Sequence, residues 1–169
     1  MINKIDKLKL NLEETKMELN NEIKEKNNFK NKINNSKIRF TIRSRCALHK
    51  CLDTKSLDYN NTPHLWDYGH NNANQIFELE KNNDGTYSIR NESSGLYLGM
   101  ESDRIVLRHK NENGQSFYLH HFDDGYYLFQ ENGGGVIDLY GPKTNNGAYI
   151  GRYNRNNGNN QQWKLVVHL

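Results

Sequence analysis

The sequence predicts an all-β domain of three like units, preceded by an N-terminal α-helix. Three observations predict it. A Gln-x-aromatic triplet occurs three times, as Gln75-Ile76-Phe77, Gln115-Ser116-Phe117 and Gln161-Gln162-Trp163. Beyond residue 37, glycines and aromatics recur every few residues, as in a chain of short strands and turns. Before it there is no Gly, Pro, Tyr or Trp, and the apolar residues fall at helical spacing. The change in composition sets a boundary, with a helix over 1–37 and a β-domain over 38–169.

In the first segment Ile5, Leu8, Leu12, Leu19, Phe29 and Ile33 form a heptad-like stripe, with a positions at 5, 12, 19, 26 and 33 and d positions at 8, 15, 22 and 29. Thr15, Glu22 and Lys26 interrupt it. A coiled-coil homo-oligomer, dimer or trimer, through residues 2–34 is expected, against a helix that frays near residue 22 or a solvated polar tail. The net charge of +3 arises here, from nine Lys+Arg against six Asp+Glu, whereas residues 38–169 carry 14 of each. A nucleic-acid binder gathers basic residues on its folded face, so no nucleic-acid partner is expected. No run of about 18 apolar residues exists, which argues against membrane insertion. The N-terminus lacks the apolar stretch of a signal peptide, so a cytoplasmic location is expected, with unconventional export as the route to any outside ligand.

The mean hydropathy of −1.00 leaves few aliphatic residues for a core. Ten Tyr, six Phe and two Trp must supply much of it. Each Gln-x-aromatic is followed two residues later by Leu (Leu79, Leu119, Leu165), which puts aromatic and Leu on one strand face. The glutamines are 40 and 46 residues apart, and Asp84-Gly85 and Asp124-Gly125 mark hairpin turns 40 apart. Within each unit Cys51-Leu52-Asp53, Tyr97-Leu98-Gly99 and Val136-Ile137-Asp138 align as a second strand. The units run over about 38–83, 84–123 and 124–169, and none is long enough to bury a core alone.

The triple Gln-x-aromatic with an upstream apolar-apolar-Asp resembles the ricin B-chain type of β-trefoil lectin over residues 38–169. The resemblance implies a six-stranded barrel capped by three hairpins, with one shallow sugar pocket per repeat. Such a pocket needs a carboxylate for adjacent hydroxyls, an aromatic face for the ring's C–H patch and an amide. In the first repeat these are Asp53, Trp66 and the pair Asn74 and Gln75; in the third, Asp138, Tyr153 and the pair Asn160 and Gln161. The second repeat has Gly99 for Asp, Leu107 or Arg108 for the aromatic, and Gly114 for Asn. Three elements missing together leave two working sites.

Each assignment has a structural alternative. Asp53 and Asp138 are also suited to capping turns. Tyr68 competes with Trp66, and Tyr140 and Tyr149 compete with Tyr153. Phe77, Phe117 and Trp163 are core residues, and Gln161 holds the loop before it by bonding neighbouring backbone. His120 and His121, adjacent on a strand, point to opposite faces and do not make a metal pair. Gly133, Gly134 and Gly135 lack the Lys-Ser/Thr of a phosphate cradle. Cys46 and Cys51 read as free thiols, and Tyr68 stands where the family's partner for Cys51 would fall.

The family implies terminal galactose or N-acetylgalactosamine as ligand, with no cofactor and no metal. A glycosidase needs two carboxylates flanking one bond, and Asp53 and Asp138 belong to separate repeats, so no enzyme activity is expected. The rival reading is a protein-interaction module that uses the trefoil without sugar.

Overall fold

The computed structural model describes residues 4–35, 38–55, 60–141 and 143–168. The chain divides into two compact units, Met1–Lys37 and Ile38–Leu169, each built from its own kind of secondary structure.

The first unit is one α-helix, α1 (Lys4–Asn35). Leu, Lys and Glu favour the helix and neither Gly nor Pro interrupts it, so it runs on through residue 22. Its 32 residues make it about 48 Å long. Ile5, Leu12 and Leu19 of the stripe are exposed, and so is Ile23, one turn beyond Leu19. The side chains of Leu8, Lys26, Phe29 and Ile33 lie outside those described. Thr15 donates its hydroxyl to the Asn11 carbonyl at 2.9 Å, which satisfies it within the helix at a stripe position.

Among the described residues the second unit has twelve strands: β1 (Arg39–Ser44), β2 (Ala47–Asp53), β3 (His64–Asp67), β4 (Phe77–Lys81), β5 (Tyr87–Asn91), β6 (Tyr97–Glu101), β7 (Arg104–Arg108), β8 (Phe117–His121), β9 (Tyr126–Glu131), β10 (Val136–Leu139), β11 (Ala148–Tyr153) and β12 (Trp163–His168). Six of them close a ring in the order β1, β4, β5, β8, β9, β12 and back to β1, every pair antiparallel. Closure leaves this barrel without an edge strand. The hairpins β2–β3, β6–β7 and β10–β11 form the cap, and β11 joins both other hairpins through β3 and β7. This is a β-trefoil.

The recurrent triplet builds its core. Phe77, Phe117 and Trp163 open the barrel strands β4, β8 and β12 and are fully buried. Leu79, Leu119 and Leu165 pack against the same core from the same strand faces. Trp163 also donates its indole N–H to the Ile137 carbonyl at 3.1 Å, so the barrel strand is tied to the third cap hairpin. The two Asp-Gly turns take left-handed backbone, with Gly85 at φ +84° and Asp124 and Gly125 at +66° and +74°. Cys46 and Cys51 are free thiols, and burial, with Asp53 nearby, pushes that of Cys51 up to about 12.

Candidate functional site

Strand register in the cap hairpins makes the three repeats comparable residue by residue. Asp53 pairs across β2–β3 with His64, Gly99 across β6–β7 with Val106, and Asp138 across β10–β11 with Gly151. Trp66, Arg108 and Tyr153 each lie two residues further along the return strand, on the same face as the paired residue. Trp66 is 40% exposed and Tyr153 52%. Tyr68 lies beyond the end of β3, with the Arg43 guanidinium 4.2 Å from its ring centre, so Trp66 is the open ring of the first repeat. In the second repeat the matching residue is Arg108, while Leu107 points into the core.

The two carboxylates are buried, Asp53 at 4% and Asp138 at 3% exposure, and each is held by the glutamine of its own repeat. Gln75 Nε2 donates to Asp53 Oδ2 at 2.6 Å and to the Asp67 carbonyl at 2.9 Å, while its Oε1 accepts from the Gly69 N–H. Gln161 repeats the pattern, donating to Asp138 Oδ2 at 2.7 Å and to the Asn154 carbonyl at 2.9 Å and accepting from the Asn156 and Asn157 N–H groups. Both glutamines are fully buried with both amide ends engaged. They orient the carboxylate and the loop and are not open to a ligand, although the motif groups them with the pocket amides.

The neighbouring asparagines divide differently in the two repeats. In the third, Asn160 Nδ2 donates to Asp138 Oδ2 at 3.0 Å and to the Leu139 carbonyl. In the first, the side chain of Asn74 makes no such bond among the described residues; its backbone carbonyl instead accepts from the Thr54 N–H at 3.1 Å. Asn72 reaches Asp53 Oδ2 from two residues earlier, at a long 3.5 Å, while capping the 3-10 turn Ala73–Gln75 through the Asn74 N–H. Cap preference at this position is the signal that would have found it.

The carboxylates therefore end differently. Asp53 Oδ1 accepts from the Lys55 N–H at 2.6 Å. Among the described residues Asp138 Oδ1 accepts nothing, and it is not one of the two unpaired side-chain atoms sealed from solvent, Arg39 Nε and His120 Nε2. Burial pushes the Asp138 carboxyl above the usual carboxylate range, against the pull of Gln161 and Asn160. The triplets alone do not mark His64, which stands between Asp53 and Trp66 and meets the indole edge-on at 5.4 Å between ring centres. Burial lowers its pKa, and Asp53 opposes that shift.

A second feature of the first repeat comes from far along the chain. Asn146 Oδ1 accepts from Lys50 Nζ at 2.6 Å and from the Asp67 N–H at 2.9 Å, and its Nδ2 donates to Asp67 Oδ2 at 2.7 Å. Lys50 Nζ donates to Asp67 Oδ1 at 2.6 Å. This triangle holds the Asp67 carboxyl below its ordinary range and fixes the end of β3, next to Trp66.

The second repeat keeps only the glutamine. Gln115 donates to the His109 carbonyl at 2.6 Å, but Gly99 offers it no carboxylate. Arg108 is clamped by Glu101 at 2.7 Å and Glu112 at 3.8 Å. Gly114 has φ +77°, and a Cβ there would overlap the Met100 carbonyl, so this backbone excludes the asparagine of the other repeats. A cleft of about 560 Å³ opens here, lined by Met100, Glu101, Arg108, Asn111, Glu112 and Asn113. Its open volume lacks both the buried carboxylate and the aromatic ring. Among the described residues no group of His, Cys, Asp and Glu side chains is arranged to hold a metal ion.

A closed trefoil with a glutamine-held carboxylate beside an exposed aromatic in two of its three repeats defines a carbohydrate-binding protein. The Ricin-type beta-trefoil lectin domain matches residues 39–163, and the chain belongs to that family. No curated protein matches it by sequence. Among solved structures it is similar to the designed 3-fold symmetric protein ThreeFoil, with 26% identity and a TM-score of 0.72 over 78% of this chain and 99% of that one. It is also similar to the C-half of an earthworm R-type lectin in complex with GalNAc, with 16% identity and a TM-score of 0.62 over 78% of this chain and 99% of that one. A third similar structure is a mosquitocidal holotoxin, with 20% identity and a TM-score of 0.68 over 75% of this chain but 16% of that much longer one.

Proposed function

We propose that the protein is a non-catalytic lectin for terminal galactose or N-acetylgalactosamine, binding through its first and third repeats and made multivalent by self-association of α1. The observation that carries the reading is Asp138. One oxygen is locked by Gln161 and Asn160 while, among the described residues, the other accepts no hydrogen bond, on the strand face that also carries the exposed ring of Tyr153. That arrangement suits a sugar, whose hydroxyls donate to the remaining oxygen while its C–H face covers the ring. Each carboxylate is held within its own repeat, which argues against a shared hydrolytic pair. The GalNAc bound to the earthworm lectin gives the sugar to test first.

Titration of the full chain with galactose and N-acetylgalactosamine tests the reading. Two weak sites are expected, each on the order of millimolar, or about −4 kcal/mol. Asp138→Ala removes one and Asp53→Ala the other, with thermal unfolding still cooperative in both. Three equivalent sites, or two sites that survive both substitutions, would refute the assignment.

A further inference from the structure

The third repeat carries an aromatic array that the other two lack. Tyr149, Gly151 and Tyr153 alternate along β11 and so share one face, which is also the face of Asp138 and of Tyr140 on the facing strand's extension. Tyr140 stands between the other two rings and meets both edge-on, at 5.0 Å from Tyr149 and 5.8 Å from Tyr153 between ring centres. Tyr149 is 39% exposed.

Gly151 makes room for this arrangement. A Cβ there would come 2.7 Å from Tyr149 Cε1, 2.8 Å from Tyr140 Cε2 and 2.7 Å from the Asp103 carbonyl. The corresponding residues of the other repeats are His64 and Val106, which carry side chains. By the same register, Tyr149 corresponds to Thr62 and Arg104, and Tyr140 to Lys55 and Glu101. Thr62 and Arg104 satisfy each other, the guanidinium donating to the hydroxyl at 3.0 Å. The Tyr149 hydroxyl turns to the Asp103 carbonyl at 3.4 Å and the Tyr140 hydroxyl to the Arg152 carbonyl at 3.0 Å, so the polar tips are engaged. The ring faces are the part left for contact.

With Tyr140 at 5.0 Å from Tyr149 and 5.8 Å from Tyr153 between ring centres, the three rings make an aromatic platform larger than one pyranose ring covers. We infer that the third repeat takes a ligand of at least two sugar rings, with Tyr153 and Asp138 holding the terminal ring and Tyr149 forming a second platform for the next one. The first repeat, with Trp66 as its one open ring, takes a terminal ring alone. The inference rests on the lectin reading above and extends it to the length of glycan recognised.

The test isolates the third repeat in the full chain carrying Asp53→Ala and titrates it with galactose, lactose and β1,3-galactobiose. A second stacked ring predicts at least one disaccharide binding about tenfold more tightly than galactose. Tyr149→Ala abolishes that gain and leaves galactose affinity unchanged; Tyr149→Phe keeps the gain, and Tyr149→Leu, which retains bulk against Tyr140, loses it. Saturation-transfer NMR locates the contact on the second ring of the disaccharide. Equal affinity for galactose and both disaccharides overturns the inference while the lectin reading stands. Equal loss of galactose and disaccharide in Tyr149→Leu also overturns it, because Tyr149 then supports the first ring only. Absence of binding by all three sugars overturns both.

Discussion

At Asp138 a carboxylate is buried to 3% exposure without a cation among its hydrogen-bond partners in the described residues. Two amide N–H groups, from Gln161 and Asn160, replace part of its lost hydration, yet burial still wins and the pKa lies above the ordinary value. The sign follows. A carboxyl whose folded pKa is raised favours folding most below its unfolded pKa, and that contribution is lost as pH rises through the folded pKa. Ionised Asp138 thus stands at a cost to stability, felt as pH rises through its folded pKa. Asp138→Asn retains an oxygen to accept from Gln161 and Asn160 but carries no charge. It is expected to lose sugar binding at the third repeat and yet melt no lower than the parent at pH 7. The two melting curves should converge as pH falls below the carboxylate range. Calorimetry across that range checks this, and a large loss of melting temperature at pH 7 would assign Asp138 to stability rather than ligand. The motif spacing reveals the glutamine and the aspartate because both sit on regular elements. It does not reveal that Gln75 and Gln161 are sealed away, since burial of a side-chain amide depends on the loop folding over it.

The elements themselves are legible where a period is present and illegible where contact is remote. Gln-x-aromatic with a following Leu yields β4, β8 and β12, and the Asp-Gly pairs yield the β4–β5 and β8–β9 turns. Register places Trp66 rather than Tyr68, and Arg108 rather than Leu107, at the position that Tyr153 holds in the third repeat, a correspondence the string of residues leaves open. Asn72 rather than Asn74 bonds Asp53 because the 3-10 turn in the first repeat is capped by a side chain, whereas Gly158 caps the third without one. Asn146 carries no local signal, for its partners Lys50 and Asp67 are 96 and 79 residues away. Asn146→Ala is expected to release the end of β3 and destabilise the domain by about 1–2 kcal/mol, the scale of the hydrogen bonds removed. Trp66 is open to solvent and Trp163 is buried, so the change should appear in fluorescence as an altered response of Trp66 to galactose, with Trp163 silent. An unchanged response would mean that β3 holds its place through its pairing with β2 alone.

For the whole molecule, the three-fold pattern and its breakdown decide how many ligands one chain can hold. One repeat differs from the other two at three positions together, one has a single exposed indole beside a histidine, and one carries two extra tyrosines. Under the proposed function, two weak sites per chain would give little affinity for a cell surface, whereas linked weak sites gain about 10² to 10⁴ in avidity without new contacts. The means of linking we propose is α1, with Ile5, Leu12, Leu19 and Ile23 exposed along a helix about 48 Å long. Burying that stripe against a second copy of itself removes apolar surface from water, and the polar Thr15, Glu22 and Lys26 limit how tightly it closes. The expected outcome is a dimer or trimer for the full chain and a monomer for a fragment beginning at Lys37, read by light scattering. Both should bind free galactose equally, and only the full chain should cross-link glycan-bearing cells. Equal monomeric masses for the two would end the self-association reading and assign α1 to contacts with some other protein.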